Sequence, residues 1–275
     1  MTDRISQVLV LGGTGKTGRR VADSLRRGGL APVVASRRGP VRFDWADRQT
    51  WEPAVSGIEA VYVVDSSGPE ASAEVEAFAA VAAGAGVRRL VLLSARVFGE
   101  MAGEGLLDTE DAVKASGLEW TILRPTWFAQ NFTEERTYFG TLWDGSGELR
   151  LPTGGGREAF VDLEDLADVA AAALTQDGHA GRTYVLSGPR ALTFGEAVGE
   201  IAEASGRPLH YIPVTEDEFR AELAAAGRAD DGILALCRHI CQGIGAEPVD
   251  GVREALGRAP RDFSDYVNRT DFSSL

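Results

Sequence analysis

The feature that most constrains this chain is a glycine-rich turn, Gly12-Gly13-Thr14-Gly15-Lys16-Thr17-Gly18, set between the apolar run 7–11 and a helical stretch over 19–28 that closes on paired glycines. The order strand, glycine turn, helix is how a dinucleotide-binding βαβ unit begins. Glycines at 12, 15 and 18 let the chain turn tightly, let a pyrophosphate approach the backbone, and let the helix pack close to the strand. Unpaired amides at the helix start then face the phosphates. Gly15-Lys16-Thr17 imitates the end of a nucleoside-triphosphate loop, but the first glycine of that motif falls on Val10, which excludes it. Gly12, Thr14, Gly15, Lys16, Thr17 and Gly18 are therefore assigned to the cofactor.

The next strand, 32–36, decides which dinucleotide. An NAD-binding chain places an acid about 20 residues beyond the glycines, to accept hydrogen bonds from the adenosine ribose. Here the residues are Ser36, Arg37 and Arg38, and the next acid is Asp44 on the following strand. A carboxylate repels a 2′-phosphate, whereas a guanidinium donates to it, at about 1.5–3 kcal/mol per charge-assisted bond. The expectation is NADP(H), with Ser36, Arg37 and Arg38 as contacts; the same residues also suit a solvated strand exit. Asp44 and Trp45 read equally as an adenine contact and as strand-end packing.

A chain of 275 residues with 44% hydrophobic content is long enough for one large core, or a core plus a smaller piece. It has no run of 18 apolar residues, and Met1-Thr2-Asp3-Arg4 does not open a signal peptide, so a cytoplasmic protein without membrane contact is expected. The formal charge of −13 opposes binding to nucleic acid. Cys237 and Cys241 lie four apart, on one face of a helix, where disulfide geometry is poor; they read as reduced thiols. Their spacing with His239 does not match a zinc site, and no metal is expected.

Strands and helices alternate in the rhythm of an α/β fold, a Rossmann-type doubly wound parallel sheet. Strands are expected at 41–44, 60–64, 90–94 and 120–124, with helices at 70–85 and 104–116. Ligands bind at the carboxyl ends of such strands. That rule adds Asp65 and Ser94 to the cofactor set, and brings Pro125-Thr126-Trp127-Phe128 to the lip. Beyond residue 140 the pattern loosens into a small mixed α/β C-terminal subdomain, with helices near 194–205, 216–226 and 232–242 and strands near 183–186 and 209–212. The expected division is 1–150 for the NADP(H)-binding domain and 151–275 for a substrate-side subdomain, helix 163–175 returning to the main sheet. Trp127, Phe128 and Asn131 are the substrate-binding candidates, since aromatic faces there could sandwich a flat polycyclic cation or quinone. Trp127 and Phe128 equally suit an anchoring core.

Together with Phe43-Asp44-Trp45, Trp120-Thr121-Ile122-Leu123-Arg124-Pro125, Trp127-Phe128-Ala129-Gln130-Asn131-Phe132, Phe160-Val161-Asp162 and Ser187-Gly188-Pro189, the glycine turn resembles the NmrA-like branch of the atypical short-chain dehydrogenase/reductases. Within it the chain is most similar to the agroclavine dehydrogenase or festuclavine synthase-like group named for ergot alkaloid biosynthesis. The resemblance runs through nearly the whole chain. It implies an extended Rossmann domain with a small C-terminal subdomain, NADPH as cofactor, and a role in specialised metabolism. The branch also holds members that bind the dinucleotide without evident turnover, so family fixes fold better than activity.

Ordinary short-chain reductases protonate the substrate oxygen with a Tyr activated by a Lys four residues on. This chain has only Lys16 and Lys114, and the residue four before Lys114 is Glu110. Without a placed acid, ketone reduction forgoes general acid help of about 10²–10⁴-fold. An iminium, an enone or a quinone needs positioning more than protonation. Ser94, Asp65 and Tyr138 are candidate proton donors or orienting groups; they read more simply as a strand-end cap, a loop acid and a surface aromatic, and no catalytic residue is assigned. The leading expectation is an NADPH-dependent reductase of a small iminium, enone or quinone-type substrate. A sensor of the NADP state without turnover and a non-redox enzyme on the same fold stay open, as does the oligomeric state.

Overall fold

The computed structural model describes residues 5–101 and 107–275. Its strands are β1 (Val8–Val10), β2 (Val33–Ser36), β3 (Val41–Arg42), β4 (Ala60–Val63), β5 (Arg89–Leu93), β6 (Glu119–Pro125), β7 (Glu148–Leu151), β8 (Arg157–Glu158), β9 (Arg182–Leu186), β10 (Leu192–Thr193) and β11 (His210–Pro213). The helices are α1 (Lys16–Arg27), α2 (Trp51–Val55), α3 (Ala71–Gly84), α4 (Arg96–Met101), α5 (Asp108–Ala115), α6 (Asn131–Glu134), α7 (Arg136–Phe139), α8 (Leu163–Thr175), α9 (Phe194–Ser205), α10 (Glu216–Ala225), α11 (Asp231–Cys241), α12 (Gly251–Leu256) and α13 (Phe263–Arg269). Residues 1–4, read above for a leader, and 104–106, read as the start of a helix, lie outside the described residues. None of the helices among the described residues is long and apolar enough to cross a membrane.

Contacts gather the chain into two compact units. The first is Met1–Pro125 with Leu163–Leu186 and Asp250–Arg258; the second is Thr126–Asp162 with Ser187–Val249 and Ala259–Leu275. The first unit is thus left after Pro125, rather than at residue 150, and is re-entered twice.

The first unit is built on a seven-stranded parallel sheet in the order β3-β2-β1-β4-β5-β6-β9. Runs such as Val8-Leu9-Val10 and Ala60-Val61-Tyr62-Val63 are apolar throughout because both faces of a parallel sheet are covered. Leu9, Val61, Leu90 and Ile122 point to one face, where they meet Trp51, Val75 and Phe78. Helices α1 and α8 pack on the other. They are tied by Ser24 Oγ donating to Asp168 at 2.8 Å and by an Arg20–Glu164 ion pair at 3.2 Å. Arg89, buried, donates to the carbonyls of Ala173 and Gln176 and so fastens the end of α8 to β5.

The run 183–186, expected in the C-terminal subdomain, is instead β9, the seventh strand of the main sheet, pairing with β6 from Thr121↔Arg182 to Pro125↔Leu186. A short apolar run shows that a strand exists, not which sheet receives it; the crossover through α8 decides that. The second unit holds two small ribbons, β7 beside β11 and β8 beside β10. Its core is aromatic, with Phe132, Phe139, Phe160, Phe194 and Phe263 in mutual ring contact. Helix α9 lies where its pattern predicts, opened by a Thr193/Glu196 capping box and closed by Gly206 at φ +66°. In α11, Cys237 is buried and Cys241 exposed, both free thiols.

Candidate functional site

The strand order reverses between β1 and β4, and ligands of such sheets bind outside the carboxyl ends at that switch point. A cavity of about 830 Å³ lies there, within the first unit. Its wall is made by the turns that leave three neighbouring strands: Gly12, Thr14 and Gly15 after β1, Ser36, Arg37 and Arg38 at the end of β2, and Val64, Asp65 and Ser66 after β4, with Asp44 and Trp45 beside them. Nine of the thirteen residues assigned from the sequence to the cofactor thus share one wall. Lys16, Thr17 and Gly18 form the first turn of α1 behind it, and Ser94 stands elsewhere on the carboxyl edge.

The glycine turn is shaped as a cradle that side chains would fill. Gly12 has φ +60°, and a Cβ on Gly18 would sit 2.4 Å from the Gly12 carbonyl oxygen, so neither accepts an L side chain without moving backbone. The turn is pinned by Leu11 N–H to the Tyr62 carbonyl and Gly13 N–H to the Ala35 carbonyl, both at 3.0 Å. Helix α1 starts at Gly15 with no side-chain cap and no acid in its first turn. That leaves a helix N-terminus with positive character and no anion of its own, the arrangement a pyrophosphate fits.

Arg37 and Arg38 are exposed, and neither enters an ion pair among the described residues. Guanidiniums left unpaired at the ribose end of such a cavity suit a 2′-phosphate. The nearby acids are partly engaged: Asp65 Oδ1 accepts from the Ser67 amide at 3.0 Å, and Asp44 Oδ1 from the Ala46 amide at 3.1 Å. The Trp45 indole N–H donates to the Val64 carbonyl at 3.0 Å, and its ring meets Phe43 and Phe78 edge-on, so packing and cavity wall are served by the same side chain.

At the ends of β5 and β6 the edge is closed on itself. Ser94 Oγ donates to Glu110 Oε1 at 2.7 Å, Arg124 Nε to the same oxygen at 2.7 Å, and Arg124 Nη2 to Oε2 at 2.6 Å. Lys114 adds its charge from one turn on, at 3.5 Å. Burial works against the Glu110 charge, but the bonds from Arg124 and Ser94 outweigh it and hold the carboxyl below its usual range. The position where a Tyr acid would precede the Lys is therefore taken by a carboxylate that carries no proton near neutrality. The sequence showed Glu110 as an absence of Tyr; its pairing with Arg124, fourteen residues on, had no local signal.

In the second unit Trp127 is half-buried, its ring 5.6 Å from Phe194 and 6.0 Å from Phe139, which gives it an anchoring role. Phe128 bridges Val161, and Asn131 opens α6, its amide donating to the Phe128 carbonyl at 3.0 Å. Tyr138 donates to Asp230; burial and that carboxylate push its phenol up to about 12. It serves as a buttress of this unit.

The family described as NAD(P)H-binding matches residues 12–177. The chain belongs to that NAD(P)H-binding family. A (4-alkanoyl-5-oxo-2,5-dihydrofuran-3-yl)methyl phosphate reductase of Streptomyces griseus is 34% identical over 94% of this family member and 96% of its own length. An agroclavine dehydrogenase of Claviceps fusiformis is 31% identical over 95% and 96%, in keeping with the NmrA-like resemblance. In fold, a triphenylmethane reductase of Citrobacter sp. complexed with NADP(H) is similar at a TM-score of 0.78, with 21% identity over 96% of this chain and 99% of that one. This family member is an NAD(P)H-dependent oxidoreductase with a Rossmann-type fold.

Proposed function

We propose that the protein is an NADPH-dependent reductase that transfers hydride to a small iminium, enone or quinone-type substrate, in specialised metabolism. The cofactor choice is supported by Arg37 and Arg38, without an ion pair among the described residues, at the cavity wall where an acid would select NAD(H). One observation carries the substrate class: Glu110, at the place of the usual acid, is locked as a carboxylate by Arg124 and Ser94. When bound, a reduced nicotinamide supplies a hydride equivalent. The chain's contribution is then to hold and orient: the glycine turn and the start of α1 take the pyrophosphate, Ser36, Arg37 and Arg38 the 2′-phosphate, Asp44, Trp45 and Asp65 the adenosine end. Lys16 and Thr17 order the first helical turn, and Ser94 is held by Glu110 as part of the edge. Trp127, Phe128 and Asn131, which follow directly on the carboxyl end of β6, are proposed to present the substrate. An electron-poor carbon accepts hydride without a protein acid, and protonation of the product follows from water. The relatives agree with this class: one is named for a dihydrofuranone bearing an alkanoyl group, the other for agroclavine.

The test is NADPH consumption against a panel of cyclic iminium ions, acyl-substituted unsaturated lactones and quinones, beside calorimetric titration of NADP⁺ and NAD⁺. Turnover of one class with NADP⁺ the tighter ligand is expected. Tight NADP⁺ binding with a silent panel would replace the reductase by a sensor of the NADP state, and turnover of simple ketones at the same rate would overturn the substrate class.

A further inference from the structure

The amino edge of the main sheet, away from the strand ends that wall the cofactor cavity, carries a second cavity of about 540 Å³ within the first unit. It lies where α8 runs out toward β9 and α12 packs on that strand. Arg182 and Tyr184, two apart on β9, point to the same face of the sheet, and His179 stands on the turn before them. His179 is only 6% exposed; its carbonyl accepts from the Thr121 hydroxyl, and its Nδ1 meets the Tyr184 hydroxyl at 2.9 Å. Burial, with the charges of Arg89 and Arg182, holds the imidazole below its usual range, so the ring is neutral near pH 7. Burial pushes the Tyr184 phenol up, so it keeps its proton. A phenol is the better donor of such a pair and an imidazole nitrogen the better acceptor, which leaves the one ring hydrogen on Nε2. Among the described residues no hydrogen bond ends on that nitrogen, yet it is not shut off from solvent. The cavity thus has a buried side chain with a donor to offer.

The charges of the wall are unlike and unmatched. Arg182 and Glu254 are exposed and line the same cavity, but neither enters an ion pair among the described residues. Asp177 stands 3.9 Å from Arg89, whose guanidinium also holds Glu119 and the carbonyls of Ala173 and Gln176. The Gln176 side-chain amide is neutral and can donate or accept. A simple anion suits Arg182 and the Nε2–H but is repelled by Glu254. A simple cation suits Glu254 but is repelled by Arg182. A molecule that carries both charges serves all three groups.

We infer that this cavity binds a small zwitterion of the α-amino acid class, with its carboxylate on Arg182 and the His179 Nε2–H and its ammonium on Glu254. The site is separate from the cofactor cavity and does not depend on the NADP(H) reading.

The test is calorimetric titration of the full chain with each protein amino acid, followed by the des-amino and decarboxylated counterparts of any that binds. At least one amino acid is expected to bind saturably, with a Kd of about 1 mM or lower, and removal of either of its charges should weaken it about tenfold or more. Saturating NADP⁺ should leave that binding unchanged. Arg182→Ala and Glu254→Gln alter exposed side chains and leave the fold intact. The first should weaken the amino acid about tenfold, and the second should bring it level with its des-amino counterpart. No saturation by any amino acid at about 10 mM overturns the inference. So does equal binding of the des-amino acid by the wild type, which makes this an anion site, or of the amine, which makes it a cation site. Binding that survives both substitutions, or that NADP⁺ displaces, puts the ligand elsewhere and overturns it as well.

Discussion

The two halves of the carboxyl edge of one sheet are built on opposite principles. Around β1, β2 and β4 the chain leaves polar groups unsatisfied among the described residues: a helix N-terminus without a side-chain cap and two guanidiniums without an ion pair. Around β5 and β6, Ser94, Glu110, Arg124 and Lys114 satisfy one another. The open half has free energy to give to a ligand, since each group gains on binding what it lacks in the empty fold. The closed half has already used its own on stability. An ordinary reductase of this fold keeps its acid at the second half; here the groups of that half are taken up by one another, and the proposed chemistry does without such an acid.

The comparison can be broken most severely at Gly18. Gly18→Ala places a Cβ against the Gly12 carbonyl and should abolish measurable NADP⁺ binding in calorimetry, with a melting temperature lowered by several degrees. Next comes the closed half, where Glu110→Leu leaves Arg124 without its partner; denaturant titration should show a loss of about 3 kcal/mol, since breaking a buried pair strands a charge. A loss below about 1 kcal/mol would mean that this half is not structural. Arg37→Ala should raise the Michaelis constant for NADPH by about tenfold or more and leave that for NADH nearly unchanged; equal changes would remove the 2′-phosphate role.

The smallest effect is one of pH. Glu110, and Glu59, whose carboxylate takes the Ser6 amide and is lowered to about 2, both have folded pKa values below the ordinary 4.5. Their stabilisation is therefore present at neutral pH and is lost as the pH falls through the folded values. Denaturant midpoints measured between pH 7 and pH 3 should decline, and Glu110→Gln should flatten the decline.

The open half was legible in the sequence because its residues are local: the glycines are contiguous, and Ser36-Arg37-Arg38 ends the very next strand. The closed half showed only as a missing Tyr, since Glu110 on α5 meets Arg124 on β6 through the packing of a helix against a strand. Among the elements, α9 was readable from its capping box and closing glycine, whereas α6 and α7, four residues each, have no period to detect. The strand β9 was seen and misplaced, because membership of a sheet is a property of the crossover.

That crossover bears on how the molecule comes to exist. β6 ends at Pro125 and its neighbour β9 begins at Arg182, while α12, whose Gly251 lies so near the Val185 carbonyl that a Cβ would stand 2.0 Å from it, comes later still. Closing such intervals costs entropy that grows slowly with length, and contacts this distant in sequence form late. On the ribosome the phosphate cradle is made within the first few dozen residues, yet the sheet beneath it keeps a bare edge on β6 until β9 has been made. A fragment ending at residue 150 carries every residue assigned here to the dinucleotide but lacks α8, β9 and α12; it should be a sticky intermediate, not a small binding domain.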